Sequence, residues 1–409
     1  MIFSFYSNKV KPRIRVGSFL LLLLAFLSAF YRPTPCTAEV KAVLLTDPNG
    51  IEIYSINKTT PMVPASTLKL LTSLAALKTL GTSYRFHTLF AHNPETHDLF
   101  IKGFGDPLFI SEQIKRLGNK IIFSFHPDQI HDIIIDPSFF SPDITIPGTG
   151  RSNNPYDATT GALCANFNTV WFKWSQRKKR FASAEPQTPF LDLLKPDIKK
   201  SGLKQGRILL SEPLRKIYPG LLLAHFLKER QVPITGNVIN GPFCSSSIPV
   251  MTFKSEFTLD QVVKKLLAFS NNFMANQLML AMGAHAFGPP ATVEKGVKAL
   301  RAFAKNTLFL DKIVLAEGSG LSRRNRMTPS QMLAILMAFD PYHGLLRHKK
   351  NEFYKTGTLS DVRTRAGYLV GKDKKRYPYV IMLNNTHRGV ERILRKLKKN
   401  IDLISSGKG

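Results

Sequence analysis

The chain has 409 residues, and its 57 lysines and arginines outnumber its 28 acidic residues, which gives a formal net charge of +29 at pH 7. The first 38 residues carry five cations and no acid, so the rest of the chain keeps +24. Only Cys164 and Cys244 follow residue 38, which excludes a disulfide framework and leaves either one disulfide or two free thiols. No cluster of histidine, cysteine or carboxylate residues has metal-ligand spacing and no glycine-rich phosphate loop occurs, so we expect no metal and no cofactor.

The N-terminus is typical of a secretory signal. A basic segment at residues 9–15 precedes a short apolar core at residues 18–30, and Ala38 is a small residue at which a signal peptidase can cut. The core is short for a membrane span, so we expect export with removal of residues 1–38; an uncleaved anchor is the alternative. An exported chain seldom meets nucleic acid. Its charge therefore predicts contact with an anionic membrane or an acidic wall polymer, or else only a solvated basic face.

The apolar pattern after the signal predicts strands, then helices, then strands again. Two strands at residues 39–46 and 51–56 lead to a helix that starts near Pro64 and ends before Gly81. Short strands are predicted at residues 84–91, 99–102, 121–125 and 132–135. Helices are then predicted at residues 259–269, 273–284, 291–304 and 329–339, and strands with hairpin spacing at 353–359, 364–370 and 377–383. The last helix, 390–404, has an apolar face that we expect to pack on the sheet, with a membrane-surface helix as the alternative.

One segment, Val63-Pro64-Ala65-Ser66-Thr67-Leu68-Lys69, has the residues of a serine nucleophile with its own base. Pro64 suits a helix start, so Ser66 is expected in the first turn and Lys69 one turn later on the same face. The lysine amine can take the proton of the serine hydroxyl if burial or nearby positive charge lowers its pKa. Four other serines have a lysine three residues later, but only Ser66 opens a long apolar helix.

Two further motifs supply the other groups that a serine peptidase needs. Ser270-Asn271-Asn272 lies between two predicted helices, where Ser270 can pass a proton to a leaving group and Asn272 can bind both the substrate backbone and Lys69. Lys355-Thr356-Gly357-Thr358 lies in a predicted strand, where the lysine and Thr356 can hold an anionic substrate end and Gly357 lets the substrate lie against the strand. Each motif alone is weak, and the three in this order are a strong signal.

With these motifs, the chain resembles low-molecular-mass class C penicillin-binding proteins, the D-alanyl-D-alanine carboxypeptidase/endopeptidase family. Further patches at residues 103–107 (Gly-Phe-Gly-Asp-Pro), 317–323 (Glu-Gly-Ser-Gly-Leu-Ser-Arg) and 328–329 (Thr-Pro) favour this subfamily. The resemblance implies an α+β fold, an antiparallel sheet flanked by helices, with a β-rich domain inserted between the first and second motifs. We expect a split peptidase domain at residues 39–83 and 250–409, a reduced insertion at 84–249, and a periplasmic location, with or without membrane association.

The resemblance also implies the chemistry. Lys69 takes the proton of Ser66, which attacks the penultimate D-alanine of a peptidoglycan stem peptide, and the N–H groups of Ser66 and Thr358 form the oxyanion hole. Ser270 and Asn272 relay the proton to the leaving amine, while Lys355, Thr356 and Gly357 accommodate the terminal carboxylate. Water then releases the acyl-enzyme. A cross-link as leaving group makes the same reaction an endopeptidase, and β-lactams are expected to acylate the same serine.

Family members hold the free end of a diaminopimelate side chain with an arginine and an acid. Arg323 matches the arginine, Asp157 is the candidate for the acid, and Ser360 is expected to assist. Glu317 stands where the family has an aspartate, and the segment between Phe339 and Lys355 is short, so the substrate preference stays open.

Two other functions remain as alternatives. A serine β-lactamase shares the three motifs, but class A enzymes use a glutamate four residues before an asparagine, and no glutamate in this chain has that neighbour. The other alternative is a non-catalytic basic protein that binds the cell wall on the same scaffold.

Overall fold

The centre of the fold is a six-stranded sheet that joins the two ends of the chain. The computed structural model describes residues 39–150, 158–177, 179–244, 248–386 and 389–405. All neighbours in this sheet are antiparallel, in the order β11-β12-β13-β14-β1-β2. Its strands are β1 (Val40–Thr46), β2 (Glu52–Ile56), β11 (Arg347–His348), β12 (Glu352–Leu359), β13 (Val362–Val370) and β14 (Arg376–Asn384). The N-terminal strand β1 pairs with β14, so residues more than 330 positions apart lie side by side.

Helices cover both faces of this sheet because successive side chains along a strand point to opposite faces, and both sets of side chains are apolar. On one face, Tyr368 and Met382 belong to the main core, which also contains a layer of five helices. These helices are α1 (Lys69–Leu80), α5 (Leu259–Phe269), α6 (Asn272–Phe287), α7 (Val293–Leu308) and α8 (Pro329–Phe339). On the other face, the last helix packs through Leu394, Leu397 and Ile401, which confirms the expectation for its apolar side. That helix is α9 (Val390–Ser405).

The helix starts follow from local capping chemistry. Thr258 and Thr328 each accept a hydrogen bond from the backbone of the third helical residue, and the glutamine there bonds back, which forms a capping box on α5 and on α8. Pro329 adds a proline in the first turn of α8. Asn271 accepts from the N–H of Met274 at 3.0 Å and so begins α6 directly behind α5.

The region between the first two motifs has its own apolar core and two further sheets. A five-stranded sheet has the order β10-β3-β4-β5-β9, with parallel pairing at β4-β5 and β5-β9, and a three-stranded sheet has the order β7-β6-β8. The strands are β3 (His87–His92), β4 (Leu99–Gly103), β5 (Ile133–Asp136), β6 (Thr169–Ser175), β7 (Arg180–Ser183), β8 (Gln205–Leu209), β9 (Val238–Asn240) and β10 (Val250–Lys254). Three helices accompany them: α2 (Ser111–Phe125), α3 (Lys195–Ser201) and α4 (Glu212–Lys228).

One sequence expectation for this region needs correction. The strand predicted at residues 121–125 is wrong, because these residues are the last turns of helix α2. Ile114, Leu117 and Ile121 are buried at helical spacing, while Phe123 is 79% exposed, so the local alternation of apolar residues misled the assignment. Of the two states left open for the cysteines, the structure has both as free thiols, with Cys164 buried and Cys244 exposed.

None of the helices in the described part of the chain is long and apolar enough to cross a membrane.

Candidate active site

Ser66 and Lys69 lie in contact at the start of helix α1. A short 3-10 helix, Ala65–Leu68, carries Ser66 and runs directly into α1, which begins at Lys69. The lysine Nζ lies 2.9 Å from Ser66 Oγ, 2.7 Å from Asn272 Oδ1 and 2.7 Å from the carbonyl oxygen of Ser319. The sequence prediction that the two side chains share one face and touch is therefore met by the geometry, although the first turn is 3-10 and not α.

Lys69 has the environment that a lysine base needs. Its side chain is fully buried, and burial holds the pKa of its amine well below the usual range, with the nearby charge of Lys355 lowering it further. Glu317 acts in the opposite direction on the same pKa. A neutral amine at 2.9 Å from Ser66 Oγ can accept the hydroxyl proton, so the pair can act as nucleophile and general base.

The second motif occupies the tight junction between α5 and α6. Ser270 ends α5 in the left-handed conformation at φ 53°, Asn271 caps α6, and Asn272 is its first residue. This junction turns Asn272 Oδ1 towards Lys69 and Ser270 Oγ towards Lys355, whose Nζ donates to it at 2.8 Å. The two halves of the motif therefore contact two different lysines.

The third motif lies on strand β12, beside the 3-10 helix. Lys355 is only 3% exposed, and burial lowers the pKa of its amine to about 7, with a smaller contribution from the charge of Arg347. Thr356 and Thr358 are exposed on this strand, while Gly357 is buried between them. A Cβ on Gly357 would lie 2.2 Å from Thr364 Oγ1 and 2.8 Å from Ser66 N, so only glycine lets β12 approach the nucleophile this closely.

A fourth element, the loop at residues 317–320, completes the surroundings of Lys69. Glu317 is fully buried and accepts from the backbone N–H groups of Ser319 and Gly320, each at 2.7 Å, and from Asn325 Nδ2 at 2.7 Å. These bonds fix the carbonyl of Ser319, which accepts from Lys69. In the sequence, Glu317 stands out only as a departure from a family pattern, and the role of the Ser319 carbonyl was not predicted. The Gly-Ser-Gly spacing in this loop is the only sequence signal for it.

Arg323 and Ser360 lie together at the wall of a cavity of about 610 Å³ that also contains Gly148 and Leu359. The guanidinium of Arg323 donates to Ser360 Oγ at 2.5 Å and is paired with the carboxylate of Asp361. The hydrogen bond from Arg323 to Asp361 holds the pKa of Asp361 below its usual value. Asp361 is not among the residues expected from the sequence, and the expected acid, Asp157, lies outside the described residues.

A family model and a curated relative match this chain in sequence over most of its length. A family model described as "D-Ala-D-Ala carboxypeptidase 3 (S13) family" matches residues 37–189 and 203–344. A D-alanyl-D-alanine carboxypeptidase of Actinomadura sp. (strain R39) is 24% identical over 429 residues, covering 86% of this chain and 78% of that protein.

Solved structures with this fold include penicillin binding protein 4 (dacB) from Haemophilus influenzae. It has a TM-score of 0.72 at 19% identity, and the match covers 90% of this chain and 96% of that chain. Its complex with a β-lactam has a TM-score of 0.67 at 18% identity, with 91% and 96% covered. At these identities the likeness concerns the fold, and it confirms the predicted α+β class with an antiparallel sheet flanked by helices.

Proposed function

The chain belongs to the D-Ala-D-Ala carboxypeptidase 3 (S13) family, and from this premise we propose that it cleaves peptidoglycan stem peptides through an acyl-enzyme on Ser66. It is a serine hydrolase of the penicillin-binding-protein type. The observation that carries the proposal is the buried amine of Lys69, which contacts Ser66, Asn272 and the Ser319 carbonyl at once. No feature of the comparisons favours a β-lactamase or a non-catalytic wall-binding protein.

In the first step, neutral Lys69 accepts the proton of Ser66 while Oγ attacks the carbonyl carbon of the penultimate D-alanine. The backbone N–H groups of Ser66 and Thr358 stabilise the negative charge on the carbonyl oxygen. The proton that Lys69 has accepted is then relayed through Ser270 to the leaving nitrogen as the C–N bond breaks, which leaves Lys69 neutral for the second step. Lys355 is held 2.8 Å from Ser270 and so keeps the relay serine in place.

In the second step, water attacks the acyl-enzyme and gives its proton to Lys69, which returns it to Ser66 as the ester bond breaks. Protonated Lys355 and the hydroxyl of Thr356 bind the terminal carboxylate of the substrate, and the space left by Gly357 admits the substrate backbone. We further propose that Arg323, Ser360 and Asp157 hold the charged end of a diaminopimelate side chain.

A covalent-labelling experiment tests the nucleophile. The parent protein, Ser66→Ala and Ser55→Ala are incubated with a fluorescent penicillin and analysed by intact mass. Ser55 is a matched control, because Lys58 also lies three residues after it, but its hydroxyl is bonded to Glu52 at 2.6 Å. We expect an adduct on the parent and on Ser55→Ala and none on Ser66→Ala. A parent protein without an adduct would contradict the acyl-enzyme.

We propose that residues 1–38 direct export to the periplasm and that the peptidase domain is split into residues 39–83 and 250–409 around an insertion at 84–249. The insertion separates the first two motifs in sequence, whereas β1 and β14 pair across it. A mass measurement on protein recovered from the periplasm of an expressing cell tests both export and cleavage: the mature N-terminus is expected after Ala38.

The exposed side of α9 is suited to an anionic membrane surface. Arg392, Arg395, Lys396 and Lys399 are all exposed on it, while the apolar side of the helix is used against the sheet. Contact with lipid would therefore be electrostatic, worth about 1 kcal/mol for each cation near the surface. We propose peripheral attachment through this α9 basic face.

Vesicle sedimentation tests this attachment. Arg395→Gln/Lys399→Gln should weaken binding to phosphatidylglycerol-containing vesicles by roughly 30-fold, the effect of about two surface charges. The control Lys199→Gln/Lys200→Gln removes two exposed lysines from α3 and should bind like the parent. Equal loss in both variants would indicate a response to net charge alone, and retention on purified wall polymer without vesicle binding would assign the face to the polymer.

A further inference from the structure

The backbone of Gly318 is held from both sides by the second turns of two helices. On α1, Thr72 follows Lys69 by three residues, and its hydroxyl donates to the Gly318 carbonyl at 2.6 Å. On α6, Asn276 follows Asn272 by four residues, and its Oδ1 accepts from the Gly318 N–H at 2.9 Å. Residues at these spacings share one face of a helix. The first turn of each helix therefore contacts the reaction centre, and the second turn contacts the loop.

These contacts fix the orientation of the peptide group between Gly318 and Ser319. Its carbonyl accepts from Thr72 at 2.6 Å, and its N–H donates to Glu317 at 2.7 Å. Asn276 also donates to Glu317, at 3.2 Å. The side chains of Thr72 and Asn276 are both buried. The next carbonyl along the chain, that of Ser319, is therefore placed by residues that belong to none of the three motifs.

The position of the Ser319 carbonyl decides the direction of the lone pair on the Lys69 amine. Within the described residues, Lys69 Nζ has three hydrogen-bond partners. These are Ser66 Oγ at 2.9 Å, Asn272 Oδ1 at 2.7 Å and Ser319 O at 2.7 Å. A neutral amine has two N–H donors and one lone pair, and of the three partners only the hydroxyl can donate a proton. The two carbonyl oxygens therefore take both N–H groups, and the lone pair is left for the proton of Ser66.

The second-turn side chains reach the reaction centre through this loop. We propose that Thr72 and Asn276 are positioning residues for the acylation step. They hold the loop whose Ser319 carbonyl occupies one N–H of the Lys69 amine, and the lone pair then points at Ser66. The proposal rests on the proposed function and leaves its bond changes as they are: the Oγ–carbon bond forms while the hydroxyl proton moves to Nζ.

Three variants on α1 test the role of the Thr72 hydroxyl. Thr72→Val removes the hydroxyl with little change in side-chain shape, and Thr72→Ser keeps it. Ser73→Ala removes the next hydroxyl, which is also fully buried but has no hydrogen-bond partner in the described part of the chain. Stopped-flow acylation by fluorescent penicillin gives the rate constant at saturation separately from the dissociation constant of the non-covalent complex.

For Thr72→Val we expect the rate constant at saturation to fall about tenfold, the effect of leaving one buried carbonyl unpaired. The dissociation constant should change less than about twofold, because the proposed carboxylate-binding residues, Lys355 and Thr356, lie on β12. Thr72→Ser and Ser73→Ala should keep the parental rate constant within about twofold. Partial unfolding would instead lower the amount of labelled protein without changing the rate constant of the folded fraction.

Two adjacent amides on α6 give a second comparison. Asn276→Ala removes the bonds of this side chain to residues 317–318. Gln277 is equally buried, but it donates to the carbonyls of Gly105 and Gly161, so Gln277→Ala is the matched control. Both variants should melt at a lower temperature than the parent. Only Asn276→Ala should also lose about tenfold in the rate constant of acylation.

The outcomes separate the positioning role from the proposed function. A parental rate constant in Thr72→Val, or equal losses in Thr72→Val and Thr72→Ser, would overturn the positioning role. Equal losses in Asn276→Ala and Gln277→Ala would overturn it too, and Thr72→Val decides alone if Asn276→Ala does not fold. Absence of a penicillin adduct in the parent would instead count against the proposed function itself.

Discussion

The peptide bond between Ala65 and Ser66 is held between two glycines, and alanine at one of them should disable the nucleophile. Gly320 has φ +83°, and a Cβ there would lie 1.8 Å from Ala65 O and 3.1 Å from Ser66 N. On the other side, a Cβ on Gly357 would already lie 2.8 Å from Ser66 N. The Gly320→Ala side chain therefore pushes the peptide towards β12, where no free space exists.

The structure sets the size of the effect. Cβ contacts essentially never fall below 3.0 Å, so the carbonyl of Ala65 and the Gly320 backbone must separate by at least 1.2 Å. Because Ser66 N belongs to this peptide bond, the nucleophile and an oxyanion donor move together. A misplacement of about 1 Å costs roughly 100-fold in rate. The positive φ itself adds about 1–2 kcal/mol of destabilisation with alanine.

Gly81→Ala is the matched control. Gly81 also has a positive φ, of +89°, but nothing lies within 4 Å of its Cβ position at the far end of α1. Both variants should lose about 1–2 kcal/mol of unfolding free energy from the backbone conformation. Only Gly320→Ala should also lose roughly 100-fold in the rate of acylation by fluorescent penicillin, measured by stopped flow. A folded Gly320→Ala protein that acylates at the parental rate, or an equal rate loss in Gly81→Ala, would refute the reasoning.

Three further predictions concern charge. Burial, and after it the charge of Arg347, lowers the pKa of Lys355 to about 7, so the KM for substrate should rise as the pH passes above about 7 and this lysine loses its charge. Arg347→Gln should raise the pKa of Lys355 and move this rise in KM to higher pH. A pH profile of KM that is the same in Arg347→Gln and in the parent would contradict the prediction. Arg365 holds the buried carboxylate of Glu352 through two hydrogen bonds of 2.7 and 2.9 Å, and Arg365→Ala leaves that carboxylate without this partner. Urea unfolding should show that the free energy of unfolding falls by about 3–5 kcal/mol. A fall of less than about 1 kcal/mol would exclude a net stabilising role for the pair. Arg323→Gln should raise KM for a stem peptide with diaminopimelate about tenfold and leave penicillin acylation unchanged; equal effects on both would remove the assigned role.

The three motifs could be predicted because each is short and its chemistry resides in its own side chains. A serine and a lysine three residues apart on a helix lie on one face and within reach of each other, and the C-terminal strands 353–359, 364–370 and 377–383 are each within two residues of the observed bounds at both ends. The Ser319 carbonyl was not predictable in this way. Every residue has a backbone carbonyl, and only the tertiary fold brings this one to a lysine 250 positions away.

Two of the helices between the first two motifs were missed for local reasons. Helix α4 contains Pro219 followed by Gly220, a pair that normally marks a turn in sequence. Helix α2 ends in the alternating apolar residues 121–125, which suit a strand equally well. In both helices, burial of one face against the core outweighs these local signals.

The charge of one buried lysine, Lys355, serves two steps of the proposed reaction. In the proposed mechanism charged Lys355 binds the substrate carboxylate, and that same charge lowers the pKa of Lys69, which must be neutral to accept the Ser66 proton. A bound carboxylate favours the charged form of Lys355. Substrate binding therefore keeps Lys355 in the protonation state that lowers the pKa of Lys69. Glu317 pulls the pKa of Lys69 the other way, but its carboxylate is engaged with the loop N–H groups that position the Ser319 carbonyl. The acid therefore fixes the geometry around Lys69, while burial, and after it the charge of Lys355, lowers the pKa of the Lys69 amine.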